Sequence, residues 1–187
     1  MGVLLRLALA LADDGLPETL AEPLAEGKEE IFAVEAFLLT TSFDDGLHIG
    51  HAIGVGTDFN FRWRWNGKTR FGFHVGAAFW DADTDLGGLP DQDADIVQYR
   101  AGVGAEFPFS KVEIGLAATI GAYRFRTSGE ADTAPFLEFE GSLGFRPIPE
   151  LKIGGLLMMT NTESSFTRSH DHFFTNYSAG LAVEWSF

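Results

Sequence analysis

From Ile31 to the C-terminal Phe187, apolar and polar residues alternate with a period of two, the signature of strands whose two faces meet different surroundings. The stretch Ala52 to Trp65 shows it most plainly. One face reads Ile53, Val55, Thr57, Phe59, Phe61, Trp63, Trp65, and the other Ala52, Gly54, Gly56, Asp58, Asn60, Arg62, Arg64. A helical period fits neither set. The alternation returns after each turn signal. Phe71, Phe73, Val75, Ala77 and Phe79 oppose Arg70, Gly72, His74, Gly76 and Ala78. Val97 to Phe107 oppose Gln98 to Glu106, Leu137 to Phe145 oppose Glu138 to Arg146, and Tyr177 to Phe187 oppose Asn176 to Ser186.

Three further strands, about Ile31 to Ser42, Val112 to Arg126 and Leu151 to Thr160, are noisier. In the second, the phase slips near Gly121, where Tyr123 and Phe125 take over the apolar face, as a β-bulge would produce. In the third, Leu156-Leu157-Met158-Met159 breaks the alternation. It still counts as a strand, because omitting it leaves a long structureless stretch of a kind rare in compact domains.

The connections alternate in length. Trp65-Asn66-Gly67-Lys68 is a type I′ hairpin signal, and Phe109-Ser110-Lys111 and Pro147-Ile148-Pro149-Glu150 are also tight. Phe43 to Gly50, Asp81 to Asp95, Thr127 to Ala134 and Asn161 to His172 are longer. Short turns on one rim and long loops on the other predict an all-β, eight-stranded antiparallel up-and-down transmembrane barrel over residues 31–187. An even strand count then puts both termini on the short-turn side.

Charge decides which face is inside. The polar faces carry seven acids (Glu35, Asp58, Glu106, Glu113, Glu138, Glu140, Glu184) and six bases (Arg62, Arg64, Arg70, Arg100, Arg146, Lys152), nearly neutral in sum. The rest of the chain carries the other 20 acids and 7 bases, within a net charge of −14. The apolar faces are almost free of charge, as a surface against hydrocarbon must be, and glycines gather on the polar face. The expected lumen is therefore polar, filled with side chains and ion-paired, with no open pore. A soluble lipocalin-like barrel binding an apolar ligand would show the same alternation with the faces reversed. Against it stand Trp63, Trp65, Phe107, Phe109, Phe145, Trp185 and Phe187, gathered at the short-turn end where a membrane interface would lie.

Mean hydropathy is only +0.04, and no stretch approaches the roughly 18 apolar residues of a spanning helix. The acidic balance disfavours nucleic acid. Cysteine is absent, which removes disulfides and thiolate metal sites. Residues 1–30 read as a tail or partial signal segment. Val3 to Ala12 is apolar apart from Arg6 and ends in Ala10-Leu11-Ala12, while the following acidic stretch holds Pro17 and Pro23.

On these residues the chain resembles the eight-stranded outer-membrane proteins of the OmpA transmembrane-domain and OmpX type. Leu181-Ala182-Val183-Glu184-Trp185-Ser186-Phe187 looks like that family's C-terminal assembly signal, with Trp185 third from last and Phe187 terminal. The resemblance implies a bacterial outer-membrane location with periplasmic termini and extracellular long loops. It also implies contact with bilayer lipid and lipopolysaccharide, recognition of the last strand by the outer-membrane assembly machinery, and a structural or surface-interaction role without a cofactor.

Two motifs suggest other chemistry. Ser169-His170-Asp171-His172 contains triad residue types, and some barrels of this size are lipid A deacylases. The resemblance implies that those enzymes use an H-x-S pair facing lipid, whereas the second position here is His172. His170 and His172 alone make an incomplete metal site. Asp81, Asp83 and Asp85 with Asp91, Asp93 and Asp95 offer oxygen ligands suited to Ca²⁺. They miss the EF-hand pattern at Leu86 and Gln92, and a solvated acidic loop is the plainer reading. The long-loop rim as a whole holds twelve acids (Asp44, Asp45, Asp81, Asp83, Asp85, Asp91, Asp93, Asp95, Glu130, Asp132, Glu163, Asp171) against Arg168. Divalent cations or a basic partner are the expected visitors there.

Overall fold

Antiparallel strands escape open edges by closing on themselves, and the described strands of this chain do so. The computed structural model describes residues 32–43, 49–65, 69–84, 92–126, 131–164 and 172–187. It holds β1 (Phe32–Phe43), β2 (Ile49–Trp65), β3 (Thr69–Thr84), β4 (Gln92–Phe109), β5 (Val112–Arg126), β6 (Ala131–Ile148), β7 (Leu151–Ser164) and β8 (His172–Ser186). Each strand pairs antiparallel with the next, and β8 returns to β1. The seam runs from Ala33 opposite Ser186 to Phe43 opposite Asn176, and the Phe187 amide donates to the Phe32 carbonyl at 3.0 Å.

Register fixes the width. The partner path Phe32, Phe61, Phe73, Val103, Ala118, Phe139, Met159, Tyr177 re-enters β1 at Ser42, ten residues beyond its start. For eight strands about 4.8 Å apart this offset corresponds to a strand tilt of about 40°. Such a barrel has room inside for side chains and little else.

The alternation sorts the faces as charge bookkeeping requires. Ile53, Ile120, Leu157 and Leu181 point outward and are 65–68% exposed, while Glu138 and Glu184 point inward and are at most 1% exposed. The strands also run further toward the long-loop rim than the sequence suggests. The third connection narrows to residues 85–91, β6 begins at Ala131, and β7 reaches Ser164.

Strand β5 departs from expectation. Its pairing with β4 and with β6 is continuous from Val112 to Arg126, so there is no bulge at Gly121. Tyr123 therefore keeps the inward phase and is buried, and Arg124 and Arg126 face outward and are exposed. The broken alternation in β7 has the same cause: Leu156 and Met158 are buried inside while Leu157 faces out. Apolar residues on the lumen face, rather than a shift of register, disturb both patterns.

Among the tight turns, Ser110 adopts φ 58° between Phe109 and Lys111. The Arg146 amide donates to the Lys111 carbonyl at 2.8 Å, tying the β4–β5 turn to β6. Residues 1–30, Asn66-Gly67 and Ser169-His170-Asp171 lie outside the described residues.

Candidate functional site

Inward residues of all eight strands fill the lumen in three layers. At the short-turn end, four bases meet four acids. Arg62 makes a two-pronged contact with Glu184, at 2.8 Å from Nη1 and with Nη2 against the second oxygen, and lies 3.2 Å from Glu106. Arg146 donates to Glu113 at 2.6 Å and to Glu184 at 3.0 Å. Arg70 donates to Glu113 at 2.8 Å. Lys152 reaches Glu106 at 2.8 Å, Glu184 at 3.1 Å and Glu35 at 3.8 Å. Arg64, on the same face of β2, is exposed at the rim.

The middle layer is unbalanced. Arg100 lies 2.7 Å from Glu140 and 3.3 Å from both Asp58 and Glu138, so one guanidinium faces three carboxylates. Thr160 and Gln98 donate to Glu138 at 2.8 and 3.2 Å. His74 is buried beside them, its Nε2 2.9 Å from the Thr119 hydroxyl. A cavity of about 50 Å³ joins the two charged layers, lined among others by Glu35, Asp58, Asn60, His74, Glu140 and Lys152. A polar space of this size holds a few waters.

The layer toward the long loops is mainly apolar, with Thr41, Thr162, Asn176 and Ser178 buried among its larger side chains. Phe37, Leu39, Trp80, Ile96, Tyr123, Phe136, Leu156 and Met158 form one buried cluster across the lumen. Trp80 and Tyr123 meet edge to face at 5.8 Å, and Tyr123 lies 4.9 Å from Phe136. The Trp80 indole donates to Thr41 at 3.0 Å, and Arg100 sits 5.4 Å from the Phe37 ring centre. Gly54 makes room for Trp80, since a Cβ there would lie 2.5 Å from the indole Cδ1. Sequence reasoning finds the ionic layers and misses this plug, although the inward phase of Phe37, Leu39, Trp80 and Ile96 is legible in retrospect.

At the short-turn end the outward face carries Trp63, Phe145, Trp185 and Phe187, each well exposed, and Phe107 and Phe109, partly so. Phe32 packs against Phe61 of the neighbouring β2 at 5.4 Å and, across the seam, against Phe187 at 5.5 Å. At the opposite rim the register sets Asp81 opposite Asp95 and Asp83 opposite Asp93. Asp85 and Asp91 lie outside the described residues, and no group of three or more His, Asp or Glu among the described residues is arranged to hold a metal.

No family model matches the sequence, and no curated protein matches it. Solved structures match the fold. Neisserial surface protein A (NspA) aligns with a TM-score of 0.64 at 15% identity, covering 86% of this chain and all of that one. The outer membrane enzyme PagL aligns with a TM-score of 0.60 at 12% identity, over 82% and 99% of the two chains. The outer membrane protein OprG from Pseudomonas aeruginosa aligns with a TM-score of 0.51 at 10% identity, over 86% and 98%. The chain has the fold of the eight-stranded outer-membrane barrels.

Proposed function

We infer that the chain is an integral protein of a bacterial outer membrane, with its short turns and termini in the periplasm and its long loops outside. Its role on this reading is structural or in surface interaction. The inside-out polarity carries the inference: an outer face of leucine, isoleucine, valine and aromatic residues surrounds buried arginines and glutamates. Hydrocarbon is the surrounding that stabilises such an exterior, and full closure removes the unpaired edges that hydrocarbon forbids.

The lumen supports a role other than steady conduction, because the ion-paired layer and the aromatic cluster both cross it. Catalysis is chemically possible on this fold, as PagL is named an enzyme. His74, however, is hydrogen-bonded inside the lumen rather than facing lipid. The acidic outer rim and the C-terminal strand are the surfaces on which loop partners and the assembly machinery would act.

Fractionation with heat-modifiable migration on SDS gels tests the reading. Outer-membrane recovery and a faster-migrating unboiled band are expected. A soluble product with no shift overturns it. Planar-bilayer recordings should show no steady open channel, and a stable conductance would replace the interaction role with a transport one.

A further inference from the structure

The outward face of β5 runs Val112, Ile114, Leu116, Ala118, Ile120, Ala122, Arg124, Arg126. Six apolar positions spanning ten residue steps, at about 3.3 Å each and a tilt of about 40°, rise about 25 Å, the height of a barrel's apolar band. Arg124 therefore falls at the upper edge of that band, with Arg126 one pleat beyond. This position explains why outward arginines are tolerated: a guanidinium is costly at mid-bilayer and nearly free at the interface.

The pair is unusual for this chain. The other strand-borne bases of the described residues, among them Arg62, Arg70, Arg100 and Arg146, have lumen-facing phase. Arg124 and Arg126 are exposed and make no ion pair to a described residue, although Asp95 is the cross-strand neighbour of Arg126. Just below them Ile120 and Tyr99 present 65% and 56% of their surface outward, a bed for acyl chains beneath two guanidinium groups. Because the pair faces sideways at headgroup depth, it meets lipid rather than a partner approaching from the solvent.

We propose that Arg124 and Arg126 form a binding site for the phosphate of an anionic lipid in the leaflet on the long-loop side. The proposal rests on the membrane reading above. Guanidinium groups suit it because they bind phosphate with two parallel, charge-assisted hydrogen bonds.

Insertion into zwitterionic vesicles, scored by heat-modifiable migration, tests the membrane reading separately; without insertion both readings fall. Folded protein in micelles is then titrated with diphosphorylated lipid A and with its dephosphorylated form, and bound lipid is counted by native mass spectrometry. The phosphorylated form should bind about tenfold or more tightly, a preference that shrinks as salt rises. The folded double variant Arg124→Gln/Arg126→Gln should lose the preference. Arg124→Lys/Arg126→Lys should keep part of it, and Lys111→Gln, at the opposite rim, all of it. Full preference in the Gln variant, or none in the wild type, overturns the site. Competition by inorganic phosphate at equal concentration also overturns it, since the site would then take a free anion rather than a lipid.

Discussion

Glu184 is the residue on which the short-turn layer converges: Arg62, Arg146 and Lys152 all reach its carboxylate, which is fully buried. Removing that charge leaves buried cations short of a partner, so Glu184→Gln should destabilise the folded barrel by about 3–5 kcal/mol in urea unfolding from detergent. Asp58 has the opposite setting. It is one of three carboxylates around the single guanidinium of Arg100, and Asp58→Asn removes one of the uncompensated negative charges while keeping the shape. Its cost should stay within about 1 kcal/mol, and a gain is consistent with the excess of acid. A loss for Asp58→Asn as large as for Glu184→Gln would mean that the two layers act as one network. Alternation in the sequence shows that these charges share the inner face. It does not show which acid meets which base, because that depends on the ten-residue offset around the barrel, which no single strand contains.

At the scale of the element, β5 and the β3–β4 hairpin show where pattern reading stops. In β5 the inward Tyr123 looks like a slipped phase because a lumen position is assumed to be polar. Continuous pairing on both sides shows that the phase is kept and the lumen changes character instead. The hairpin places Asp81 directly opposite Asp95 on the outward face, a like-charge pair that works against the ladder. Asp81→Asn should therefore stabilise the folded protein by about 0.5 kcal/mol at low salt, and less at high salt where the repulsion is screened. Unfolding midpoints at two ionic strengths measure this. An Asp81→Asn variant less stable than wild type at low salt would show that the pair is held by an attraction, such as a shared cation, that outweighs the repulsion.

For the whole molecule, closure rests on the seam between β1 and β8, the pairing of longest sequence separation among the described residues. Closure, strand count and antiparallel order are legible in the sequence because each follows from alternation and from short and long connections in turn. The outcome at the seam is not, since Phe32 opens the first strand, Phe187 follows the last, and their meeting depends on the summed register of all eight strands. There the Phe187 amide supplies one hydrogen bond to Phe32, and its ring packs 5.5 Å from the Phe32 ring while remaining 66% exposed. Deleting it removes one terminal contact of a seam that pairs eleven further residues of β1 with β8. The refolded, truncated barrel should therefore lose only about 1 kcal/mol in detergent. If the terminal strand is also the segment recognised during assembly, the same deletion should reduce folded protein in the outer membrane far more than that loss predicts. Comparing the cellular folded yield with the unfolding midpoint, for the truncated and full-length chains, separates the two effects. Equal cellular yield would leave Phe187 as an interface anchor alone, whereas a collapse of yield beside a nearly unchanged midpoint would assign the last strand a role in recognition before it closes the barrel.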